Sequence, residues 1–177
     1  MDFFEVLEGR RSVRAYAQAT VAATQLATIL DAVRVAPSAG DLQAFRIAVV
    51  DSPEQKAGLA KAALGQSFIG DAAIVLVFLA DVERSAVKYA QRGRTLFALQ
   101  DATIAAAYAQ LCATALGLAS CWVGAFDDAQ VANVLGAPAG LWPIAILPIG
   151  VPAETPQRPP RRSHAALLLR TQAGPPH

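Results

Sequence analysis

The sequence predicts an α+β fold in three layers, in which helices cover both faces of one sheet. Segments with helical and strand-like patterns follow one another in mixed order along the 177 residues. The run AAIVLVFLA at residues 72–80 is apolar at every position, which is typical of a strand covered on both faces. No repeat or internal linker divides the chain, so we expect one domain over residues 1–177 with a proline-rich tail from about residue 151.

Helices are predicted where apolar residues recur at helical spacing between start and stop signals. Ser52 provides an N-cap and Pro53 a first helical residue for one of them. Gly117 and Gly136 follow two others as end signals. The predicted helices cover about residues 2–8, 26–33, 52–64, 95–116 and 127–135.

Strands are predicted from short apolar runs bounded by turn residues. They cover Phe45–Val50, Ala72–Ala80, Ser120–Val123 and Ile144–Ile149, and Pro148 interrupts the last of them. Because the second run is continuous and rich in β-branched residues, we expect it in the middle of the sheet.

The composition is too apolar for a generously solvated monomer. Hydrophobic residues make up 54% of the chain and charged residues 16%, whereas about 25% is usual for charged residues. A membrane or a partner subunit would cover the excess. The 25 residues between Asp101 and Asp127 carry no formal charge and are long enough to span a bilayer. They are rich in alanine and broken by Gly117 and Gly124, which favours a buried helix and no membrane span.

The sequence also argues against several other classes of protein. A net charge of +1 and the lack of a basic stripe interleaved with aromatic residues argue against nucleic-acid binding. Cys112 and Cys121 lack metal-binding spacing, and His164 and His177 lie in the tail, so we expect neither a metal site nor a histidine-activated nucleophile. No P-loop or dinucleotide-binding glycine pattern is present. The amino terminus does not resemble a signal peptide, which predicts a cytoplasmic protein.

The first candidate site is a basic cluster that directly follows the first predicted helix. It consists of Arg10, Arg11, Ser12 and Arg14. Guanidinium groups and a hydroxyl at this spacing can hold a phosphate, although a solvated basic turn would have the same sequence. A second pair, Arg161 and Arg162, lies in the tail and favours one bound anion shared by both ends of the chain.

Two further segments could approach a ligand closely. The loop Pro37-Ser38-Ala39-Gly40-Asp41-Leu42-Gln43 combines small residues with hydrogen-bonding side chains. Gly124, at the end of the predicted third strand, could present a backbone N–H to a ligand. Taken alone, each segment is equally compatible with an ordinary turn.

Five segments, taken together and in this order, resemble the FMN-dependent nitroreductase family and particularly its short, single-domain members. They are RRSVRAY (10–16), APSAGDLQAFR (36–46), GQSFIGDAA (65–73), LGLASCWVGAFD (116–127) and PIGVPAETPQRPPRR (148–162). The resemblance implies an α-β-α sandwich with a mixed, mainly antiparallel central sheet. It also implies an obligate homodimer with FMN at the subunit interface, which would account for the excess apolar surface.

The resemblance assigns roles to individual residues of this chain. Those expected at the FMN phosphate are Arg10, Arg11, Ser12 and Arg14, with Arg161 or Arg162 closing over it. Those expected at the flavin from the other subunit are Pro37, Ser38, Ala39, Asp41 and Gln43. Those expected at the flavin ring are Gln66 at its polar edge, and Val123 and Gly124 at N5, with the Gly124 N–H pointing at that atom.

One position departs from the family pattern in a chemically important way. The family usually carries Asn where this chain has Asp41, and often Pro where it has Ala44. An ionised Asp can only accept hydrogen bonds. Asp41 would therefore oppose the negative charge of reduced flavin and lower its potential, unless Arg46 or another cation compensates.

The resemblance implies an oxidoreductase in which NAD(P)H reduces FMN by hydride transfer. An electrophilic acceptor such as a nitroaromatic, a quinone or an enone would then take the place of the nicotinamide, with ping-pong kinetics. A specialised flavin enzyme that dehydrogenates azolines, fragments flavin or removes halogen is a second possibility, for which the segment Asp81–Arg94 is short for a lid. A non-catalytic FMN-binding subunit and an apolar scaffold without cofactor are the remaining possibilities.

Overall fold

The computed structural model describes residues 1–169, so His177 and the end of the predicted tail lie outside the described residues. The helices are α1 (Phe3–Gly9), α2 (Ala23–Arg34), α3 (Pro53–Ala62), α4 (Phe68–Asp71), α5 (Val82–Arg92), α6 (Ala98–Ala115), α7 (Asp128–Leu135) and α8 (His164–Leu167). The strands are β1 (Phe45–Val50), β2 (Ile74–Asp81), β3 (Ala119–Ser120) and β4 (Leu141–Gly150).

The four strands form one sheet in the order β1-β2-β4-β3. β2 lies inside the sheet, as predicted, and Val77 pairs with Ala48 on one side and Ile146 on the other. All three ladders are antiparallel. The prediction of a mainly antiparallel sheet is therefore confirmed, and the parallel pairing within residues 1–169 is limited to a single bridge between Ser12 and Ser120.

The two faces of β2 contribute to two different parts of the core. Val75 and Val77 pack in a cluster with buried residues of α3 and α7, including Leu59. Leu76 and Phe78 pack in a second cluster with α2 and with the alanines of α6. Helices therefore cover this strand on both sides, which explains why its sequence lacks the alternation of a half-exposed strand.

Two strand predictions differ from the structure. β4 is longer than expected and passes through both Pro143 and Pro148. Pro143 lies beside a register shift at Phe78, a position where a strand tolerates proline. β3 is shorter than expected, although the chain pairs once more with β4 where Val123 meets Ile146.

The segment between β2 and α6 was missed by the sequence analysis. It forms α5, followed by a π-helical turn over Gly93–Phe97, so α6 begins at Ala98 and not at Thr95. Ala90 has a φ of 47°, which breaks the helical backbone before the turn. A π-helical turn does not follow the i, i+3, i+4 spacing of an α-helix, so apolar periodicity gives no signal for it.

The other helices follow the sequence closely. The Ser52 hydroxyl caps α3 by accepting from the N–H of Gln55. α3 ends at Ala62 and not at the predicted Leu64, because Leu64 itself takes a φ of 59°. In the described part of the chain, no helix combines the length and the apolar composition that crossing a membrane would require.

A buried carboxylate fastens the loop before β1 to α6. The Asp101 side chain is 1% exposed. Its Oδ1 accepts from the N–H of Ala39 at 2.9 Å, and its Oδ2 accepts from the N–H of Ala44 at 3.3 Å. Both oxygens therefore serve the loop, and the loop depends on this one side chain for its position.

Replacing Asp101 with alanine is expected to lower the free energy of unfolding by about 2–4 kcal/mol, since two backbone N–H groups lose their acceptor. The matched control is Asp128→Ala in the exposed first turn of α7. Urea denaturation of the three proteins measures the difference. Equal stability of the Asp101 variant and the wild type would contradict this account of the loop.

Candidate functional site

The segment that carries the predicted arginine cluster is fixed by backbone hydrogen bonds. The N–H of Arg10 donates to the Val6 carbonyl at 2.9 Å, at the end of α1. The N–H of Val13 donates to the Ser120 carbonyl at 3.1 Å. The buried Tyr16 hydroxyl donates to the Val13 carbonyl at 2.9 Å, which ties the end of the segment to the same place. The cluster is therefore a held structure and not a free basic turn.

A glycine makes room for the tyrosine that holds this segment. A Cβ added at Gly150, the last residue of β4, would lie 3.0 Å from the ring of Tyr16. Burial raises the pKa of Tyr16, so its hydroxyl stays protonated and continues to donate. Tyr16 was part of the motif noted in the sequence, but its role as a tether could not be read from it.

A positive charge from the tail acts on the predicted arginine cluster. The Arg10 side chain is partly buried, and this burial lowers its pKa, with further lowering by the positive charges of Arg161 and Arg11. Arg162 instead donates to the Ala166 carbonyl. Of Arg161 and Arg162, it is therefore Arg161 whose positive charge acts on Arg10, and Arg158, which pairs with Glu8, also acts there.

Two arginines of the cluster are free to bind an anion. Within residues 1–169, neither Arg10 nor Arg14 forms an ion pair with an acidic side chain. The Arg14 guanidinium lies 5.9 Å from the centre of the Phe68 ring. Arg11, by contrast, donates to the carbonyls of Glu8 and Arg10, so its side chain is committed to the backbone.

A glutamate that the sequence analysis did not single out orients this segment. Oε1 of Glu154 accepts from the N–H of Arg14 at 2.5 Å and from the N–H of Ala15 at 3.1 Å. Glu154 follows β4 and precedes the tail arginines, so it joins the start of the tail to the amino-terminal cluster. Its place within PIGVPAETPQRPPRR was the only available signal, because a single carboxylate between prolines is not distinctive.

Hydroxyl and thiol groups lie beside the arginines. Burial raises the pKa of the Cys121 thiol, and the nearby Arg14, Ser12 and Arg10 oppose that shift in part. All three are therefore close to Cys121, which places Ser12 and both free arginines in one neighbourhood. The buried Ser120 Oγ has no hydrogen-bond partner among the residues the structure describes.

The predicted Gly124 site lies at the end of a short, well-anchored segment. Val123 exchanges two backbone hydrogen bonds with Ile146, both 3.0 Å long. Nε2 of Gln66 donates to the Ala125 carbonyl at 3.3 Å and to the Ala63 carbonyl at 3.0 Å. The structure therefore brings Gln66 next to Gly124, which is exposed.

The loop over residues 37–43 has an unusual backbone. Gly40, Asp41 and Gln43 have φ values of 57°, 57° and 50°. The Ser38 hydroxyl accepts from the N–H of Gln43 at 3.0 Å, and Oδ1 of Asp41 accepts from the Gln43 side chain at 3.2 Å. Together with the Asp101 anchor, these bonds make it a constrained loop and not an ordinary turn.

A groove of about 560 Å³ opens beside this loop. It is lined by Pro37, Ser38, Ala39, Phe97, Leu99, Gln100, Asp101, Thr103 and Ile104. Arg46 does not face Asp41 as a compensating cation, since its Nε lies 3.5 Å from a carboxylate oxygen of Asp81. Arg46 was the cation expected to compensate Asp41, and it is paired with Asp81 instead.

The loop over residues 37–43 and the arginine cluster lie at opposite ends of α6 in one chain. Asp101, near the start of the helix, holds the loop. Thr114, near its end, lines a pocket with Arg11 and Glu154. The thirteen steps between these helix positions correspond to about 20 Å at 1.5 Å per residue. One protomer therefore does not bring the arginine cluster and the loop together.

Comparisons with known proteins agree on one family. The profile of the Nitroreductase family matches residues 7–67 and 62–151. A Thermus thermophilus protein named NADH dehydrogenase is 34% identical over 172 residues, covering 82% of this chain and 84% of the relative. A Bacillus subtilis protein named FMN reductase (NAD(P)H) is 30% identical over 174 residues, covering 91% of this chain and 70% of the relative.

Comparison with solved structures supports the same family. The NADPH:FMN oxidoreductase from Vibrio harveyi, solved as a complex with NAD⁺, superposes with a TM-score of 0.88 and is 27% identical. The match covers 99% of this chain and 79% of the Vibrio harveyi chain. The family profile, the relatives and the shared fold together establish that this chain belongs to the nitroreductase family.

Proposed function

We propose that this chain is an FMN-dependent oxidoreductase that takes electrons from NAD(P)H and passes them to an electrophilic small molecule such as a nitroaromatic, a quinone or an enone. The observation that carries the proposal is a segment held by backbone hydrogen bonds that carries Arg10 and Arg14, neither of which pairs with an acidic side chain within residues 1–169. The positive charge of Arg161 also acts on Arg10. The relatives named FMN reductase and NADPH:FMN oxidoreductase support FMN as the cofactor and NAD(P)H as the donor.

The arginine cluster fits a phosphate group in charge and in hydrogen bonding. Arg10 and Arg14 lack acidic partners in the described part of the chain, and planar guanidinium groups match phosphate oxygens well. The partnerless hydroxyl of Ser120 adds an unused buried donor to the neighbourhood. We assign the FMN phosphate to Arg10, Ser12 and Arg14, with Arg161 closing over it, while Arg11 supports the turn through its backbone contacts.

A homodimer would cover the exposed apolar face beside α6. Phe3 and Phe4 of α1 are 63% and 73% exposed, and Tyr108 of α6 is 37% exposed. A groove of about 490 Å³ runs between these helices, lined in part by Leu111 and Cys112. A monomer leaves this surface in water, whereas an isologous dimer would bury it twice.

The same dimer would complete the site. In a two-fold arrangement with the α6 helices packed antiparallel, the start of one helix lies beside the end of the other. The loop over residues 37–43 of one protomer would then approach the arginine cluster of its partner across the 20 Å that separates them within a chain. This arrangement places one FMN at each of two interface sites and gives the layered α-β-α architecture a partner on its apolar side.

The residues near the flavin ring would orient it without ionisable catalytic groups. Gly124 is exposed and carries no side chain, so its N–H can meet the ring directly. The Val123 carbonyl, in the same peptide plane as the Gly124 N–H, accepts from the Ile146 N–H at 3.0 Å and thereby fixes the direction of the Gly124 N–H. Gln66 holds the following residues through the Ala125 carbonyl. Bound FMN would supply the electron carrier between the pyridine nucleotide and the second substrate. Because both substrates would use the same open face, they would alternate in ping-pong fashion.

The proposal is tested by the colour of the protein and its response to NADPH. The purified chain is expected to retain or take up FMN, and anaerobic NADPH is expected to bleach the yellow absorption band. A sample without NADPH serves as the control. Protein that stays colourless after incubation with FMN would refute the cofactor assignment, and bound FMN that NADPH cannot bleach would refute oxidoreductase activity with this donor.

Arg14→Ala is expected to weaken FMN binding by about 10- to 150-fold, because a charge-assisted bond to phosphate contributes about 1.5–3 kcal/mol. Arg34→Ala is the matched control, since Arg34 is exposed and pairs only with Asp31 on its own helix. Fluorescence titration of the apoprotein with FMN measures both. An unchanged dissociation constant in the Arg14 variant would return the cluster to a solvated turn.

Asp41→Asn is expected to raise the midpoint potential of bound FMN, since it removes a negative charge beside the reduced flavin. One kcal/mol of repulsion corresponds to about 20 mV for a two-electron couple. Asn tolerates the φ of 57° at this position, so the loop is retained. Spectroelectrochemical titration compares the variant with wild type and with the exposed control Asp51→Asn, and an unchanged or lower potential would refute the placement of Asp41.

A further inference from the structure

A stripe of basic residues runs along α5, the helix that the sequence analysis missed. Arg84 and Lys88 are four residues apart and therefore lie on one face of the helix, and Arg92 follows the break in the helical backbone at Ala90. The segment 82–97 holds four basic residues and one acidic residue, a net charge of +3 in a chain whose total is +1. Positive charge is thus concentrated at a second place, separate from the phosphate cluster described above.

The stripe lies directly against the constrained loop. Nε of Arg84 donates to the Leu42 carbonyl. A Cβ added at Gly40 would lie 2.7 Å from Nζ of Lys88 and 2.5 Å from the hydroxyl of Tyr89. The ends of the Lys88 and Tyr89 side chains therefore lie over the backbone of Gly40, where the lack of a side chain leaves room for them.

Aromatic rings contact Lys88 and Arg92 at the rim of the 560 Å³ groove. The rings of Tyr89 and Phe97 meet edge to face with centres 4.9 Å apart. Lys88 lies 5.4 Å from the centre of Tyr89, and Arg92 lies 5.3 Å from the centre of Phe97. Because Phe97 lines the groove together with Pro37, Ser38 and Ala39, these cations border the opening toward the proposed flavin site.

Most of the nearby acidic side chains are already paired with other arginines. Glu83 accepts two hydrogen bonds from Arg94, at 2.9 and 2.7 Å. Asp81 is paired with Arg46 at 3.5 Å. Within residues 1–169, neither Lys88 nor Arg92 forms an ion pair with an acidic side chain, and Asp41 accepts from Gln43 instead. Both cations are therefore available to a ligand.

We propose that Lys88 and Arg92 bind phosphate on the adenosine half of NADPH while its nicotinamide reaches the flavin through the groove, and that this site favours NADPH over NADH. The inference rests on the proposed function, because it needs a flavin at the groove. Arg84 is a positioning residue, since its bond to Leu42 fixes the stripe against the loop.

The geometry favours a nucleotide carrying more than one phosphate. Lys88 and Arg92 lie beside the two paired rings of Tyr89 and Phe97. Two such cations suit a ligand with phosphate at two separate positions, as the pyrophosphate and the 2′-phosphate of NADPH are, whereas NADH carries the pyrophosphate alone. Arg and Lys are the usual phosphate ligands. The same chemistry would also suit the phosphate of a free flavin acting as acceptor, so the experiment must separate the two sources.

The experiment uses FMN-loaded wild type, Lys88→Gln, Arg92→Gln and the control Lys61→Gln on the exposed face of α3. Binding of adenosine 2′,5′-bisphosphate and of adenosine 5′-monophosphate is measured by calorimetry. In parallel, KM and kcat are measured for NADPH, for NADH and for free FMN as acceptor. Glutamine keeps the helix propensity of the exposed positions, so the variants are expected to fold.

Each α5 variant is expected to bind adenosine 2′,5′-bisphosphate about tenfold more weakly, with a smaller loss for the monophosphate. KM for NADPH should rise about tenfold with kcat, FMN content and KM for NADH little changed, and added salt should reduce the difference. Unchanged binding and unchanged KM for NADPH in variants that retain FMN would overturn the inference. A rise in KM for free FMN alone would overturn the assignment to the donor, whereas a wild type that binds no FMN would refute the proposed function itself.

Discussion

The Asp101 carboxylate is the constraint on which the geometry of the site depends. It is buried in α6 and uses both oxygens to hold the N–H groups of Ala39 and Ala44. The loop between those residues holds three positions with positive φ, a conformation that costs energy unless the surroundings impose it. The length of α6 therefore sets the distance between the constrained loop, which is fixed near its start, and the arginine cluster beside its end. The loop and the arginine cluster would come together only in the proposed dimer, where the loop of one chain approaches the cluster of the other.

The unusual composition of the chain follows from how α6 is packed. Its sheet-facing and α2-facing residues are alanines, including Ala105, Ala106, Ala109 and Ala113. Small side chains let a helix lie close to the strands beneath it, and that closeness is what the charge-free stretch between Asp101 and Asp127 provides. The larger apolar groups, Tyr108 among them, lie on the opposite side and remain exposed in one protomer. The same helix thus accounts for the membrane-like stretch and for the apolar surface that a partner would cover.

Sequence reasoning succeeded where local chemistry decides the structure. β1 has the predicted bounds, Ser52 caps α3, and the continuous run around Val77 is the inner strand. It failed where a tertiary contact decides. The π-helical turn after α5 brings Gly93 close to the Ser85 carbonyl, only 2.5 Å from where a Cβ would lie, and no periodic pattern predicts that approach. α5 itself is amphipathic and is capped by Asp81, so its sequence did carry a helical signal.

The candidate site also contains some residues that the sequence indicates and others that it does not. Arg10, Ser12 and Arg14 could be proposed from the sequence because their side chains suit a phosphate and their motif resembles the family, and their role stays a prediction. The groups that orient them were not found, since Glu154 and Tyr16 act through backbone atoms far away in the sequence. The roles of Arg11 and Arg162 also could not be predicted, because their side chains turn back to nearby carbonyls.

The two basic clusters differ in burial, and that difference suits them to different ligands. Arg10 is partly buried, tied into a fixed segment and surrounded by other positive charges, so an anion there would relieve repulsion and exchange solvent for direct contacts. Lys88 and Arg92 of α5 are both exposed. Contacts made by exposed cations are screened and weak, and weak contacts permit rapid dissociation. A partly buried cluster suits a cofactor that stays bound through many turnovers, whereas an exposed pair suits a donor that must leave before the acceptor can enter. In the two proposals, the partial burial of Arg10 would account for tight phosphate binding, and the exposure of Lys88 and Arg92 would account for exchangeable binding.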